Sequence, residues 1–300
     1  MTGVRSKEVS HGLVLSGIPD PADIVEYAVA AEEAGWDGVF HSDHLIDYSS
    51  SDPEEHSARN DPWITWAGVA SRTDRITLGT GITPIPRRQP WQLAKNLATL
   101  DQLSDGRVLL GAGLGAPWEF ETFGQAYDQK RLAERYDEAL DVIDGLWSGE
   151  PFDYDGDHFT INGAVMRPTP VQEPRIPIVI GGWWPFKNPF RRGAHWDGII
   201  PNWPSIHHGA EYDDTVPEHM REVIPETPAH EEEVREMLGF YHGLTDDPGE
   251  VIMLVTSSDL PKHFTDICRE LGATWLIHRE VGSSLDFEAN MARIREGPPD

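Results

Sequence analysis

Residues 35–44 place titratable side chains directly after a short apolar run, Val39-Phe40. The glycine that opens this segment is typical of a helix end, so the apolar run predicts one buried strand. In α/β enzymes such strands carry catalytic groups at their carboxyl ends. We therefore interpret Asp43 and His44 as catalytic candidates, with His44 acting as a base or a hydrogen-bond donor. A purely structural His44, satisfied by its neighbours, is the alternative.

The spacing of His41 and His44 does not favour a metal site. Residues three apart along a strand point to opposite faces, so the two imidazoles would converge poorly on one ion. We therefore assign His41 to the core and expect no metal.

Eight short apolar runs alternate with helical patterns along the chain. They lie at residues 13–16, 39–40, 76–83, 107–115, 178–182, 198–201, 251–255 and 273–278. This alternation, without a second core or a linker, predicts an α/β fold: one (β/α)8 TIM-barrel domain over residues 1–300. Two additions are expected, a short hairpin around Asp155-Gly156 and an acidic, lid-like loop at residues 202–228.

The predicted strand ends are rich in glycine and hydroxyl groups, and in a barrel they meet at one mouth. They are Ser16-Gly17, residues 42–44, residues 80–83, Gly113-Leu114-Gly115, Gly181-Gly182-Trp183, Pro201-Asn202, Thr256-Ser257 and His278-Arg279. This set suits a broad aromatic ligand lying against backbone better than a compact metal ion. Residues 111–115 lack the following helix that a dinucleotide fingerprint needs. Gly181-Gly182 predicts either a phosphate site or a plain structural turn.

Composition argues against several classes of partner. The chain has 51 acidic and 24 basic residues and a formal net charge of −27, whereas nucleic-acid binding needs a basic face. No apolar run approaches the roughly 18 residues of a membrane span, and the N-terminus lacks the apolar core of a signal peptide. The single cysteine, Cys268, fits a reducing cytosol. We therefore expect a cytoplasmic protein with neither a nucleic-acid nor a membrane partner.

Six segments, in this order, resemble the luciferase-like flavin-dependent oxidoreductases, which include bacterial luciferase and deazaflavin-dependent dehydrogenases. They are AEEAGWDGVFHSDHL at 31–45, RITLGTGITP at 75–84, LDQLSDGRVLLGAGLG at 100–115, RYDEAL at 135–140, RPTPVQ at 167–172 and IVIGG at 178–182. The C-terminal third fits this family by strand count more than by motif.

The resemblance implies a reduced flavin or deazaflavin lying across the barrel mouth. Its ring system would rest on Thr80, Gly81 and Ile82, where relatives often carry a non-proline cis peptide, so we predict a cis Gly81-Ile82 bond. The phosphate would meet the turns Gly113-Leu114-Gly115 and Gly181-Gly182-Trp183, with Arg191 or Arg192 as counter-charge. His44 matches the family's mouth histidine, at the reactive face of the flavin, and Asp43 would orient this strand end.

Two chemistries divide the family. The main expectation is a monooxygenase that uses reduced FMN and O2 on a small, largely apolar substrate, with a flavin reductase supplying the FMN. The alternative is a dehydrogenase or reductase that exchanges hydride with the deazaflavin coenzyme F420. A second alternative is a flavin-binding barrel without catalysis. The family's usual assembly implies a homodimer.

Two positions separate this chain from the deazaflavin-dependent sugar-phosphate dehydrogenases. Those enzymes place a Trp four residues after the motif histidine and a Glu just after the strand-four glycines, where this chain has Tyr48 and Ala116. We interpret Glu119 and Glu121 as helix-capping or exposed rather than as substitutes. The expected substrate pocket consists of Tyr48, Trp118, Trp184 and Asn202.

Overall fold

Parallel strands and helices alternate along the chain. The computed structural model describes residues 9–46, 60–203, 230–255, 263–279 and 286–299. The strands are β1 Ser10–Val14, β2 Gly38–His41, β3 Thr77–Thr80, β4 Thr83–Pro84, β5 Val108–Gly113, β6 Phe152–Asp155, β7 Thr160–Ala164, β8 Ile178–Trp183, β9 Gly198–Asn202, β10 Glu250–Val255 and β11 Trp275–His278. The helices are α1 Pro21–Glu33, α2 Pro62–Ala70, α3 Pro90–Ser104, α4 Trp118–Glu121, α5 Gln129–Trp147, α6 Lys187–His195, α7 His230–His242, α8 Phe264–Glu270 and α9 Phe287–Arg295.

Eight of the strands close into a parallel barrel in the order β3-β2-β1-β11-β10-β9-β8-β5, and β5 pairs back with β3. The predicted TIM barrel is therefore confirmed. The antiparallel pair β6–β7 is the predicted hairpin. Residues 204–228 of the predicted lid-like loop lie outside the described residues, and the single domain over 1–300 stays a prediction. In the described part of the chain, no helix is long and apolar enough to cross a membrane.

Aspartate N-caps fix where two of the helices that precede the mouth region begin, α1 and α2. Asp20 accepts a hydrogen bond from the Ala22 amide at 2.8 Å, and Asp61 accepts from the Trp63 amide at 2.9 Å. Proline follows each of these aspartates at the first helical position, where its missing N–H costs nothing. Each cap contributes about 1 kcal/mol to stability and sets the length of the loop that precedes it.

Two apolar layers hold the barrel together, one under the helices and one inside the ring of strands. The inner layer consists of Phe40, Leu109, Val179, Ile200, Ile252, Trp275 and Ile277. Inward-facing glycines leave space for its largest rings: a Cβ on Gly79 would lie 2.4 Å from Phe40, and one on Gly38 would lie 2.7 Å from Trp275. The barrel interior is therefore a packed core rather than a channel.

His278 lies on the outer face of the barrel, which corrects its expected place in the mouth. Alternation along β11 turns Trp275 and Ile277 inward and His278 outward. There its Nε2 is 3.0 Å from Nδ1 of His11, and its ring meets the edge of Trp36. Burial, with smaller contributions from His11 and Arg269, lowers the pKa of His278 to about 4.

We expect this histidine pair to make the fold acid-sensitive. The unfolded chain takes up a proton near the ordinary pKa of 6.5, whereas folded His278 resists it until about 4. Stability is therefore full above pH 6.5 and falls by up to roughly 3 kcal/mol as the pH drops to 4. Urea unfolding at several pH values should show a shallower slope across this window for H278Q. H195Q, at an exposed position, is the control and should keep the wild-type slope. Equal slopes for H278Q and the wild type would contradict this assignment.

Candidate active site

Strand β3 ends at a cis peptide bond between Gly81 and Ile82, as the resemblance predicts. The bond separates β3 from β4 and turns the chain across the end of β2. The Gly81 amide donates to the carbonyl of His41 at 3.1 Å, and the carbonyl of Ile82 accepts from the Asp43 amide at 3.3 Å. Gly81 itself is exposed, and a Cβ built on it would meet nothing within 4 Å.

The side chain of Ile82 covers two of the predicted glycines. A Cβ on Gly113 would lie 2.2 Å from Ile82 Cδ1, and one on Gly181 would lie 2.7 Å from Ile82 Cγ2. The pairing of Ala112 with Ile180 in adjacent strands places these glycines side by side. Three predicted cofactor-binding residues therefore converge above the inner core: Ile82 between β3 and β4, Gly113 in β5 and Gly181 in β8. Together with the Gly81 backbone they form the floor of the mouth, called the glycine floor below.

Other predicted cofactor-binding residues point elsewhere. The Thr80 hydroxyl donates to the Gly111 carbonyl at 3.0 Å in the seam between β3 and β5, so its hydrogen-bonding capacity is used within the barrel. A Cβ on Gly182 would lie 2.3 Å from Pro189 of α6, on the outer face. Leu114 packs against the outer core. Gly115, at φ 86°, turns the chain beside Pro84, and Trp183 pairs with Asn202 at the rim.

His44 is held at the mouth through one ring nitrogen. Its Nδ1 lies 3.3 Å from Oε1 of Glu119, and 27% of its side chain is exposed. Because the two ring nitrogens lie on opposite sides of the imidazole, this contact leaves Nε2 available to a ligand. His41, by contrast, is buried against Trp66, in agreement with its assignment to the core.

Arg87 joins the two acidic neighbours of His44. One of its terminal nitrogens donates to Oδ1 of Asp43 at 2.6 Å, and the other donates to Oε1 of Glu119 at 2.7 Å. Arg88 adds bonds of 3.0 and 2.8 Å to Asp43 and one of 3.1 Å to Asp61. Asp43 therefore faces the two arginines rather than the imidazole, and it anchors the end of β2.

Glu119 was misjudged from the sequence. It is neither exposed nor a helix cap: its side chain is 0% exposed and lies on the four-residue helix α4, which was not predicted. Burial alone would raise the pKa of Glu119, but the hydrogen bond from His44 and the charge of Arg87 hold it below its ordinary value. The adjacent basic pair Arg87-Arg88, just after the third strand segment, was the signal that could have drawn attention to these acids.

Of the residues expected in the substrate pocket, Trp184 and Asn202 contact each other only through their backbones, and the contacts of Trp184's ring are with other residues. Trp184 is buried against Phe190 and Phe240, with Lys187 Nζ 3.1 Å from its ring. The Asn202 carbonyl accepts from the Trp184 amide at 2.8 Å. Trp118 is half-buried at the start of α4, and Tyr48 lies outside the described residues. The substrate role of these four residues stays a prediction.

Arg191 and Arg192, the arginines expected to bind the cofactor phosphate, lie on α6 and contact other residues there. Arg192 binds Asp137 at 2.5 and 3.0 Å and stacks on Tyr136. Arg191 is exposed and donates to Asn188 at 3.2 Å. Neither arginine is held toward the glycine floor by these contacts.

The floor fits a broad planar ring. Exposed Gly81 presents side-chain-free backbone, and Gly113 and Gly181 lie flat beneath Ile82. Within the described ranges, no three His, Cys, Asp or Glu side chains are grouped as they would be around a metal ion. The arrangement can therefore support a flat organic cofactor and place it beside His44.

Comparisons with known proteins agree with this geometry. A profile of the luciferase-like monooxygenase family matches residues 2–250. The F420-dependent glucose-6-phosphate dehydrogenase of Nakamurella multipartita is 35% identical over 167 residues, which are 55% of this chain and 48% of that protein. The F420-dependent hydroxymycolic acid dehydrogenase of Mycobacterium tuberculosis is 38% identical over 176 residues, 57% and 47% of the two chains. The chain thus spans about half the length of these relatives.

A solved structure extends the likeness over the whole fold. Monooxygenase RslO1 from Streptomyces bottropensis superposes with a TM-score of 0.69 at 19% identity, covering 95% of this chain and 96% of that one. At this identity the likeness shows the barrel fold alone.

Replacing Arg87 should cost more stability than replacing Arg88. Arg87 is 7% exposed and contacts two buried carboxylates, whereas Arg88 is 21% exposed and shares Asp43 with Arg87. Leaving buried charges without their partner costs about 3–5 kcal/mol, so R87M should lose this much. R88M should lose less than about 2 kcal/mol, because Asp43 keeps one charged partner. Urea unfolding of both variants at neutral pH measures the difference, and equal losses would show that Arg87 does not dominate the cluster.

Proposed function

The chain belongs to the luciferase-like monooxygenase family, and from this premise we propose that it is an oxidoreductase that exchanges hydride with coenzyme F420. The substrate would be a small organic alcohol or the matching carbonyl compound. The similarity to F420-dependent dehydrogenases at 35–38% identity carries this proposal. It replaces the expected use of FMN and O2 by the alternative, hydride exchange with F420.

The glycine floor is the part of the site that would receive the coenzyme. When bound, F420 supplies a two-electron carrier that accepts or donates a hydride. The Gly81-Ile82 backbone would support one face of its ring system, and Gly113 and Gly181 keep Ile82 low enough for the ring to lie flat. The substrate would then approach from the open side of the mouth, where His44 lies.

His44 would move the proton that accompanies hydride exchange. Oxidation of an alcohol releases its hydroxyl proton, and a neutral imidazole with a free Nε2 can accept it. In the reverse direction the same nitrogen returns the proton to the forming alcohol. The contact from Nδ1 to Glu119 leaves Nε2 free for this task.

The sugar-phosphate activity of one relative is not part of the proposal. This chain departs from those enzymes at Tyr48 and Ala116. Arg87 and Arg88, which belong to the cluster around His44, are engaged with Asp43, Asp61 and Glu119, so they are poorly placed to bind a substrate phosphate. A substrate without a phosphate group suits this mouth better.

A monooxygenase that uses reduced FMN remains the second candidate, because the matching family is described by that activity. It would need a flavin reductase as partner, whereas hydride exchange with F420 would not. The homodimer expected from the resemblance stays a prediction.

Coenzyme binding separates these functions. We expect F420 to quench the tryptophan fluorescence of the full chain at concentrations at least about tenfold lower than FMN does. The protein should then reduce oxidised F420 under anaerobic conditions when secondary alcohols from a panel are supplied as the hydride donors. H44Q should retain binding but turn over roughly 10² to 10⁴ times more slowly, because a positioned proton acceptor contributes about this factor. Binding of FMN alone, with O2 consumption, would favour the second candidate. Binding of neither coenzyme would indicate a barrel without catalysis.

The role of the glycine floor in coenzyme binding can be tested by adding a single Cβ at Gly113. G113A introduces a Cβ 2.2 Å from Ile82 Cδ1, so Ile82 must move toward the ring site. We expect F420 affinity to fall at least about tenfold and stability to fall by about 1–3 kcal/mol, as overpacking commonly costs. G239A on α7 is the matched control, because a Cβ there meets nothing within 4 Å. It should leave affinity unchanged and stability equal or higher by up to about 1 kcal/mol. Unchanged affinity in G113A would place the ring elsewhere.

A further inference from the structure

Glu119 differs from Asp101, another buried carboxylate, in what it contacts. Asp101, also fully buried, accepts from the amides of Val171 and Gln172 at 2.8 and 3.1 Å, so it fixes a backbone turn. Glu119 instead contacts a half-buried histidine at the mouth, and it also accepts from the Leu45 amide at 3.3 Å. Its position thus couples α4 to the residue that faces the ligand site.

The protonation state of Glu119 decides what its contact with His44 can be. The hydrogen bonds it accepts and the charge of Arg87, at 2.7 Å, favour the ionised carboxylate, which has no proton to donate. The hydrogen bond between Glu119 and His44 must therefore use a proton on Nδ1 of the imidazole. A neutral His44 in this bond is the Nδ1–H tautomer, with an unprotonated Nε2.

The net charge of the surrounding cluster favours the transfer of a proton to His44 during the reaction. Arg87 and Arg88 contact the three carboxylates of Asp43, Asp61 and Glu119, which leaves one negative charge in excess. A proton taken up at Nε2 would bring the cluster to neutrality, and Glu119 is the member in contact with the resulting imidazolium. Because the Glu119 side chain is 0% exposed, water screens this fixed countercharge only weakly.

From these contacts we propose that Glu119 is a positioning residue for His44. It fixes the Nδ1–H tautomer, directs Nε2 into the mouth and stabilises the imidazolium formed when a substrate proton is accepted. Arg87 contributes by keeping Glu119 ionised, while Asp43 keeps Arg87 in place. Glu119 does not itself touch the substrate. The catalytic part of this inference rests on the proposed function, whereas the tautomer assignment does not.

The tautomer can be read in the free protein without any coenzyme. Full-length chain labelled with ¹⁵N at histidine gives long-range proton–nitrogen spectra in which the two neutral tautomers differ. The chain has 13 histidines, and the spectrum of H44Q identifies the signal of His44. We expect the Nδ1–H form in the wild type. An Nε2–H form in the wild type would overturn the proposal, and this measurement requires no variant of Glu119 to fold.

The variant E119M tests whether the carboxylate is the cause. Methionine keeps the length of the side chain but offers His44 no strong acceptor, so the preference of His44 for Nδ1–H should be lost. E119Q is unsuitable here, because its amide oxygen would still accept from Arg87, from the Leu45 amide and from His44. D101N is the control, since it also removes a buried carboxylate, but away from His44. D101N should keep the wild-type tautomer even if its stability falls. A wild-type tautomer in folded E119M would overturn the proposal.

Kinetics with F420 test the catalytic consequence. E119Q should lower kcat roughly 10- to 100-fold, with KM for F420 within about threefold of the wild-type value, and it should change the pH profile of kcat. D101N should leave the pH profile unchanged. If E119Q matches the wild type in kcat and in pH profile, Glu119 is structural only. If the protein binds no F420, the proposed function fails while the tautomer measurement still decides the assignment of Glu119.

Discussion

The buried guanidinium of Arg87 is the interaction on which the mouth of this barrel depends. It connects the end of β2, through Asp43, to the helix that follows β5, through Glu119, while its own position follows β4. Taking a guanidinium out of water costs several kcal/mol, and this cost is offset only when its partners are close and well oriented. The cluster therefore contributes less to net stability than to the choice of one loop arrangement. The same arrangement fixes the position of His44, because His44 also contacts the Glu119 carboxylate.

Below the cluster, glycines set how deep a ligand can lie. Gly79 and Gly38 make room for Phe40 and Trp275 in the lower barrel, and Gly113 and Gly181 make room for Ile82 above them. These side chains belong to or lie on the inner core, so a ligand at the mouth would lie above Ile82. A flat cofactor would thereby lie near the level of His44, and the packing that stabilises the barrel would also set the plane of the ligand.

The comparisons carry different weight for fold and for chemistry. Coverage of 95% at 19% identity establishes one barrel shape that serves a monooxygenase. Identities of 35–38% over slightly more than half of the chain connect it with dehydrogenases that use F420. The barrel fold by itself therefore does not decide the chemistry, because function depends on the side chains of the site rather than on the fold.

The sequence by itself determined the periodic features of this protein. Alternating apolar runs and helix caps such as Asp20 and Asp61 are local signals, so the eight-stranded barrel, its hairpin and the place of His44 at a strand end were all predictable. The cis bond at Gly81-Ile82 followed from the family resemblance.

Only the tertiary structure decided which side chains meet. Glu119 follows His44 by 75 residues, and Arg87 lies between them, so no local pattern could show that one carboxylate binds both. Likewise, strand alternation turned His278 outward to meet His11, 267 residues away in the chain. Burial and pairing of charges depend on the closed barrel, because closure brings distant strand ends within hydrogen-bonding distance and excludes water from them.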